Sequence, residues 1–191
     1  MIDIILITIL IIFIYIFLKL NNNNKIIIKS DYGIITMNKD NDKQSKSLLL
    51  EKIVDNMYIL KNYLKKNINN YKDYEQYIEL LDKNFNKNRT YIYETDPTSN
   101  FTSYSVNKGE ELSICLKSKK NNQLHDINLL MYVIIHEMAH FACPEIGHGP
   151  LFQKIFKKLV ETSISIGIYN YENYLENPVE YCGMTLNSTI I

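Results

Sequence analysis

Three of the chain's four histidines fall within residues 133–152, in the stretch VIIHEMAHFACPEIGHGPLF. His136 and His140 are four positions apart, so on a helix both imidazoles project from one face and can reach a single ion. Glu137 lies beside them, rotated toward the edge of that face, where it can contact a zinc-activated water without binding the metal. The spacing therefore predicts a catalytic Zn²⁺ site with Glu137 as general base.

A catalytic zinc site needs a third protein ligand and one open position. Pro144 ends the predicted helix and Gly147 permits a sharp turn, so the chain can bring His148 back to the metal. We favour His148 as the third ligand, because three histidines with a nearby glutamate suit the activation of water. Other side chains remain open as alternatives, namely Cys143, Glu145, Glu161, Glu172 and Glu180.

Two other residues could also take part in the chemistry. His125 precedes the helix and is interpreted as a loop residue rather than a ligand. Tyr181 is a candidate hydrogen-bond donor to an oxyanion, although the sequence does not single it out among the tyrosines.

The elements that must position these residues can be predicted from local signals. Asp126 is a natural N-cap for the helix that carries the motif, and Pro150 suits the first turn of the next helix. The stretch FTSYSVNKGEELSICL predicts a hairpin with strands near 101–106 and 111–116. Apolar periodicity predicts helices over 48–67 and 74–85, NRTYIYETD is rich in strand formers, and NPVEYCGMTL suggests a closing strand or turn.

The N-terminal sequence IDIILITILIIFIYIFLKL predicts a single-pass transmembrane anchor at residues 1–20. Positive charge follows the span at Lys19, Lys25 and Lys29, whereas Asp3 precedes it, which predicts that the remaining chain lies on the cytosolic side of a host or virion membrane. Residues 21–47 are polar and predict a linker, in which a short strand is one option, before a domain at 48–191.

The charge balance bears on the class of binding partner, and the cysteine content bears on the cellular compartment. Lysine plus arginine and aspartate plus glutamate both number 21, so the balanced charge makes nucleic acid an unexpected partner. The three cysteines, Cys115, Cys143 and Cys182, form no close pairs, and we expect free thiols in a reducing compartment.

The segments LHDINLLMYVIIHEMAH and GHGPLFQKIFKKL resemble the WLM/SprT-like zinc metallopeptidases, and most closely the WLM-like proteins of giant DNA viruses. The resemblance covers about residues 111–184 and includes CPEIGH and NPVEYCGM. It implies His136, His140 and His148 as zinc ligands, Glu137 as catalytic base, and Phe152 as the packing residue behind the site. It also implies a small α+β, zincin-like domain whose short antiparallel sheet packs on the HExxH helix, with ELSICL as the strand at the cleft edge.

The leading hypothesis is a membrane-anchored zinc metalloendopeptidase that acts on protein or peptide substrates. A non-enzymatic membrane protein with a structural zinc, in which Cys143 supplies a fourth ligand, is one alternative. A DNA–protein crosslink protease, as known for cellular relatives of the family, is another, although the balanced charge argues against it.

Overall fold

A computed structural model of the protein describes residues 2–21, 25–30 and 32–191. The helices are α1 (Ile2–Asn21), α2 (Lys43–Lys66), α3 (Glu75–Asn84), α4 (Ile127–Ala142) and α5 (Pro150–Ser165). The strands are β1 (Lys25–Ser30), β2 (Gly33–Asn38), β3 (Tyr91–Glu94), β4 (Tyr104–Val106), β5 (Glu111–Ile114), β6 (Val179–Tyr181) and β7 (Met184–Leu186). The α+β class expected from the sequence is confirmed.

The main sheet has five strands in the order β1-β2-β3-β5-β4, and β6 pairs with β7 in a separate hairpin. The pairs β1–β2 and β4–β5 are antiparallel, whereas β2–β3 and β3–β5 are parallel. The main sheet is therefore mixed, and the prediction of a short antiparallel sheet is wrong.

The segment predicted as a linker contributes two strands to this sheet. Residues 25–38 hold β1 and β2, and α2 begins at Lys43, inside the predicted linker. Ile35 and Met37 of β2 are each only 1% exposed, because they pack into the core under the sheet. The surrounding Asn and Lys residues make the segment polar on average, so its composition does not reveal this short strand pattern.

The order of the strands also changes which strand borders the site. The sequence ELSICL was expected at the edge of the sheet, but β5 lies between β3 and β4 and is hydrogen-bonded on both sides. The edge strand is β4, the other arm of the predicted hairpin. The hairpin itself is confirmed, and its turn at 107–110 includes Asn107 and Lys108 with positive φ angles.

The helix α4 is buried along almost its whole length, which makes it a fixed support for the motif. Ile134, Ile135 and Met138 have no exposed surface. The Asp126 side chain accepts a hydrogen bond from the Asn128 backbone N–H at 2.7 Å, so the predicted N-cap is confirmed. The helix ends at Ala142, before Pro144, also as predicted.

A disulfide joins Cys115, next to the end of β5, to Cys182 in the turn between β6 and β7. Cys143 is free and buried. The expectation that all three thiols are free is therefore wrong for this pair. The two half-cystines are 67 positions apart, so only the folded arrangement of the C-terminal hairpin against β5 reveals them as neighbours.

The structure does not support the predicted N-terminal transmembrane anchor. Within the part of the chain that is described, no helix is both long enough and apolar enough to cross a membrane, although the sequence predicted a span within residues 1–20.

Candidate active site

The imidazoles of His136, His140 and His148 converge at one end of the buried helix α4. The Nε2 atom of His148 lies 3.0 Å from that of His136 and 3.1 Å from that of His140. The ligand atoms of all three lie within 4.8 Å of one another. Nitrogens bound to one tetrahedral zinc at 2.0–2.1 Å are about 3.3 Å apart, so both distances from His148 are close to those of a shared ion.

Hydrogen bonding alone explains these short contacts poorly. Each imidazole nitrogen carries either one hydrogen or one lone pair in the ring plane, so His148 Nε2 cannot make two well-aligned hydrogen bonds. A cation shared by the three lone pairs satisfies all three nitrogens at once. The arrangement therefore fits a metal ion better than a network of hydrogen bonds.

The electrostatics of the histidines favour the neutral form that a metal ligand requires. Burial, followed by the neighbouring His140 and His148, lowers the pKa of His136 to about 3. Burial, followed by His148 and Lys108, lowers the pKa of His140 to about 4. Both rings therefore keep a free lone pair at neutral pH.

Glu137 lies in the wall of the same cleft but outside the histidine cluster. Its side chain is only 6% exposed, and burial raises its pKa to about 7, while a hydrogen bond with the Ser105 side chain acts in the opposite direction. A carboxyl group whose pKa is close to neutral can both accept and return a proton at that pH. This is the property expected of a general acid–base group.

The loop at 143–149 brings His148 to His136 and His140 by a sharp change of direction. Gly147 has a φ of 84°, and Gly149 is the N-cap of α5, with Pro150 in the first turn. The Lys108 ammonium donates to the Glu145 carbonyl oxygen, which ties the loop to the β4–β5 turn. The predicted turn and the predicted start of α5 are both confirmed.

The Phe152 ring packs against the three imidazoles. Its ring centroid lies 4.9 Å from that of His136, 4.3 Å from that of His140 and 4.8 Å from that of His148. The side chain is buried, so the rings rest on a fixed apolar surface. This is the packing position that the sequence resemblance implied.

The cleft has a volume of about 580 Å³ and is bounded by α4, by the loop at 143–149 and by the β4 side of the sheet. Ser103, Tyr104 and Ser105 line one side, while Ile146 lines the other with 95% of its surface exposed. Sequence reasoning missed Ser103 and Ser105, because isolated serines carry no spacing signal.

The alternative ligands considered from the sequence are not part of the cluster. Among the described residues that could bind a metal, only the three histidines come together, and Cys143, Glu145, Glu161, Glu172 and Glu180 lie outside the group. His125 is buried in its loop, where its Nε2 accepts a hydrogen bond from the Cys182 N–H at 3.1 Å. Tyr181 is also buried, and its hydroxyl is hydrogen-bonded to that of Ser103, which lines the cleft.

The β4–β5 turn depends on a glycine packed against α4. Gly109 has a φ of 99°, and a Cβ atom there would lie 3.1 Å from both the Phe141 Cγ and the Asn84 carbonyl oxygen. Gly167 also has a positive φ, of 74°, but a Cβ there would have no neighbour within 4 Å. A side chain at Gly167 would therefore introduce backbone strain alone, whereas a side chain at Gly109 would introduce both backbone strain and close steric contacts.

Gly109→Ala is expected to lower the free energy of unfolding by about 1–3 kcal/mol more than Gly167→Ala, because only the first also forces atoms too close together. Urea unfolding of both variants and the unchanged protein measures the difference. Equal losses at the two positions would show that steric contact with Phe141 and Asn84 has no effect.

Comparison with known proteins places the chain among viral sequences. No known family profile matches it. The chain is 40% identical over 168 residues to Uncharacterized protein R325 of Acanthamoeba polyphaga mimivirus, which covers 86% of this chain and 83% of R325. The chain belongs to the R325 family.

A second relative of this R325-family chain is Uncharacterized protein 136R of Invertebrate iridescent virus 6. It is 36% identical over 85 residues, which cover 44% of this chain and 47% of 136R. Among solved structures, a mutant of Wss1 from Saccharomyces cerevisiae aligns with a TM-score of 0.51 and 15% identity, covering 73% of this chain and 96% of that one. This likeness shows that the R325-family chain shares the fold of Wss1.

Proposed function

We propose that the protein is a zinc-dependent metalloendopeptidase in which His136, His140 and His148 hold the metal and Glu137 is the general base. The observation that carries this proposal is the convergence of three imidazole nitrogens beside a buried carboxyl group in one open cleft. The donor set fits zinc, because three neutral histidines leave a fourth position for substrate or water.

When bound, zinc would supply Lewis-acid polarisation of a carbonyl group and would activate water at neutral pH. Glu137 would accept the proton of the attacking water and then deliver it to the leaving amine. Phe152 would keep the imidazoles oriented, since it contacts all three rings. The loop at 143–149, held by Lys108, would keep His148 within reach of the other two ligands.

The substrate class follows from the exposed edge of the sheet. Among the residues that the structure describes, β4 pairs with β5 alone, so the backbone groups along its other side face the cleft region without a strand partner there. An extended peptide can add to such an edge as a further strand, which would carry a peptide bond past Glu137. The protein would therefore cleave within extended protein segments.

The test is hydrolysis of casein by the full chain with and without metal. We expect cleavage in the presence of one equivalent of zinc, loss of cleavage after treatment with 1,10-phenanthroline, and recovery when zinc is restored. The melting temperature should rise with added zinc, because a ligand that binds only the folded state stabilises it. Cleavage that persists in verified metal-free protein would overturn the proposal.

The WLM-like fold favours one second candidate, a protease for DNA–protein crosslinks. The balanced charge of 21 basic and 21 acidic residues offers no general attraction to DNA. Casein cleavage with and without single-stranded DNA distinguishes the two functions. Stimulation by DNA would favour the second candidate, and an unchanged rate would favour the first.

A further inference from the structure

The C-terminal β6–β7 hairpin is attached to the segments that flank β4 and β5. Its turn is joined to Cys115 by the disulfide at Cys182, and the preceding residue, Tyr181, shares a short hydrogen bond with the Ser103 hydroxyl. The Ser103 hydroxyl also accepts a hydrogen bond from the Cys115 backbone N–H at 3.0 Å. One covalent bond and one side-chain hydrogen bond therefore hold the hairpin next to the entry to β4.

The contacts of the hairpin continue to Glu137, the proposed general base. Ser103 immediately precedes β4 and Ser105 lies within it, and both line the cleft together with Glu137. Burial raises the pKa of Glu137, and a side-chain hydrogen bond with Ser105 acts in the opposite direction. Burial is the main cause that raises the pKa of the Tyr181 phenol, and the Glu137 charge adds to it. A displacement of Tyr181 would therefore reach Glu137 through Ser103 and Ser105.

The disulfide borders a cavity on one side. Cys115 and Cys182 are 5% and 3% exposed. However, Cys115 lines a separate cavity of about 480 Å³, whose other walls include Asp96, Lys117 and Asn122. A small thiol can enter a cavity of this size beside Cys115.

We propose that the Cys115–Cys182 disulfide is a redox control of the proposed peptidase site, in which the oxidised bridge keeps Tyr181 in place as a positioning residue for Ser103, β4 and Glu137. This inference rests on the proposed function, because its effect is on the same general base. The reductant is a small-molecule thiol.

Reduction proceeds by two thiol–disulfide exchanges. The first thiolate attacks the Cys115 sulfur, forms a mixed disulfide and releases the Cys182 thiolate. A second thiolate attacks the sulfur of the bound small molecule, which releases the Cys115 thiolate and a small-molecule disulfide. The two protons of the small thiols end on the two cysteines, and the two electrons reduce the bridge.

The hairpin would then keep only its non-covalent contacts, such as those of Tyr181 with Ser103 and of the Cys182 N–H with His125. The zinc ligands lie on α4 and on the loop at 143–149, which the bridge does not join. Reduction would therefore move the partners of Glu137 without releasing the metal. The expected kinetic effect is a lower kcat with little change in KM.

The experiment compares the zinc-loaded full chain before and after treatment with glutathione, with the bridge followed by thiol alkylation and mass spectrometry. We expect kcat for casein cleavage to fall by roughly 10- to 100-fold, since a small misplacement of a catalytic group costs this much. KM and the zinc content should stay the same. Tyr181→Phe, which removes only the hydroxyl, should lower kcat in the oxidised protein by a similar factor.

Two cysteine variants separate the bridge from other thiols. Cys115→Ser with Cys182→Ser should show the low kcat without glutathione and no further response, whereas Cys143→Ser should keep the response to glutathione. An equal kcat for the oxidised and the fully reduced protein would overturn the inference while leaving the proposed function intact.

Hydrogen–deuterium exchange tests the inference without activity. Reduction should accelerate amide exchange at 103–106 by about tenfold or more, because the segment loses a covalently held partner. If the oxidised, zinc-loaded protein cleaves nothing, the proposed function fails, and this exchange measurement still decides whether the bridge controls β4. Unchanged exchange after complete reduction would overturn the control mechanism.

Discussion

Glu137→Gln is expected to lower kcat for peptide hydrolysis by about 10²- to 10⁴-fold, the usual contribution of a general acid–base group. The amide has nearly the same shape as the carboxyl group but cannot accept a proton at neutral pH. Glu137 lies outside the histidine cluster, so the variant should still bind one equivalent of zinc. Steady-state cleavage of casein, together with elemental analysis of the same sample, measures both quantities.

Glu145→Gln is the matched control for this variant. Glu145 is exposed and close to the site in the loop at 143–149, but its side chain does not line the cleft. The control should keep the activity of the unchanged protein within a factor of about two, because exposed substitutions rarely alter stability much. If Glu137→Gln retains activity comparable to this control, Glu137 is not the base.

His148→Ala is expected to abolish stoichiometric zinc binding and, with it, peptide hydrolysis. Only two imidazoles would remain for the metal, one fewer than a catalytic zinc site ordinarily provides. The loss in affinity should exceed the roughly 10- to 100-fold that removal of a mere outer-shell partner costs. Equilibrium dialysis against a zinc buffer, followed by elemental analysis, measures the affinity.

Cys143→Ser is the informative companion to His148→Ala, since Cys143 was the competing ligand on chemical grounds. Its thiol is buried and separate from the cluster, so this variant should keep one equivalent of zinc. The opposite pattern, with zinc lost from Cys143→Ser and kept by His148→Ala, would show that the metal is bound by another set of ligands.

The parts of the site that the sequence predicts well depend on local signals. The spacing of His136 and His140 requires only that the segment be helical, and Asp126 and Pro144 mark where that helix starts and stops. The approach of His148 follows from the turn at Gly147 and from Pro150 at the start of α5. Each of these signals acts within a few residues, so no tertiary information is needed.

The features that sequence reasoning misjudged are all set by long-range pairing. β1 and β2 are short and lie in a polar segment. They become recognisable as strands of the sheet through the parallel pairing of β2 with β3. The edge position of β4 depends on β5 joining β3, which a local hairpin pattern cannot show. Lys46 on α2 is a comparable case: it is fully buried, and its ammonium lies 2.8 Å from the carboxylate of Glu94 on β3, a partner 48 positions away.

The order of the strands has a consequence for anything attached to the N-terminal side of the domain. Four strand spacings separate β1 from β4, and at about 4.8 Å each they amount to roughly 19 Å. The chain therefore enters the sheet at the border farthest from the cleft. A tag or an immobilising surface joined ahead of Lys25 would be tethered at that far border, leaving the approach along β4 unobstructed by the point of attachment.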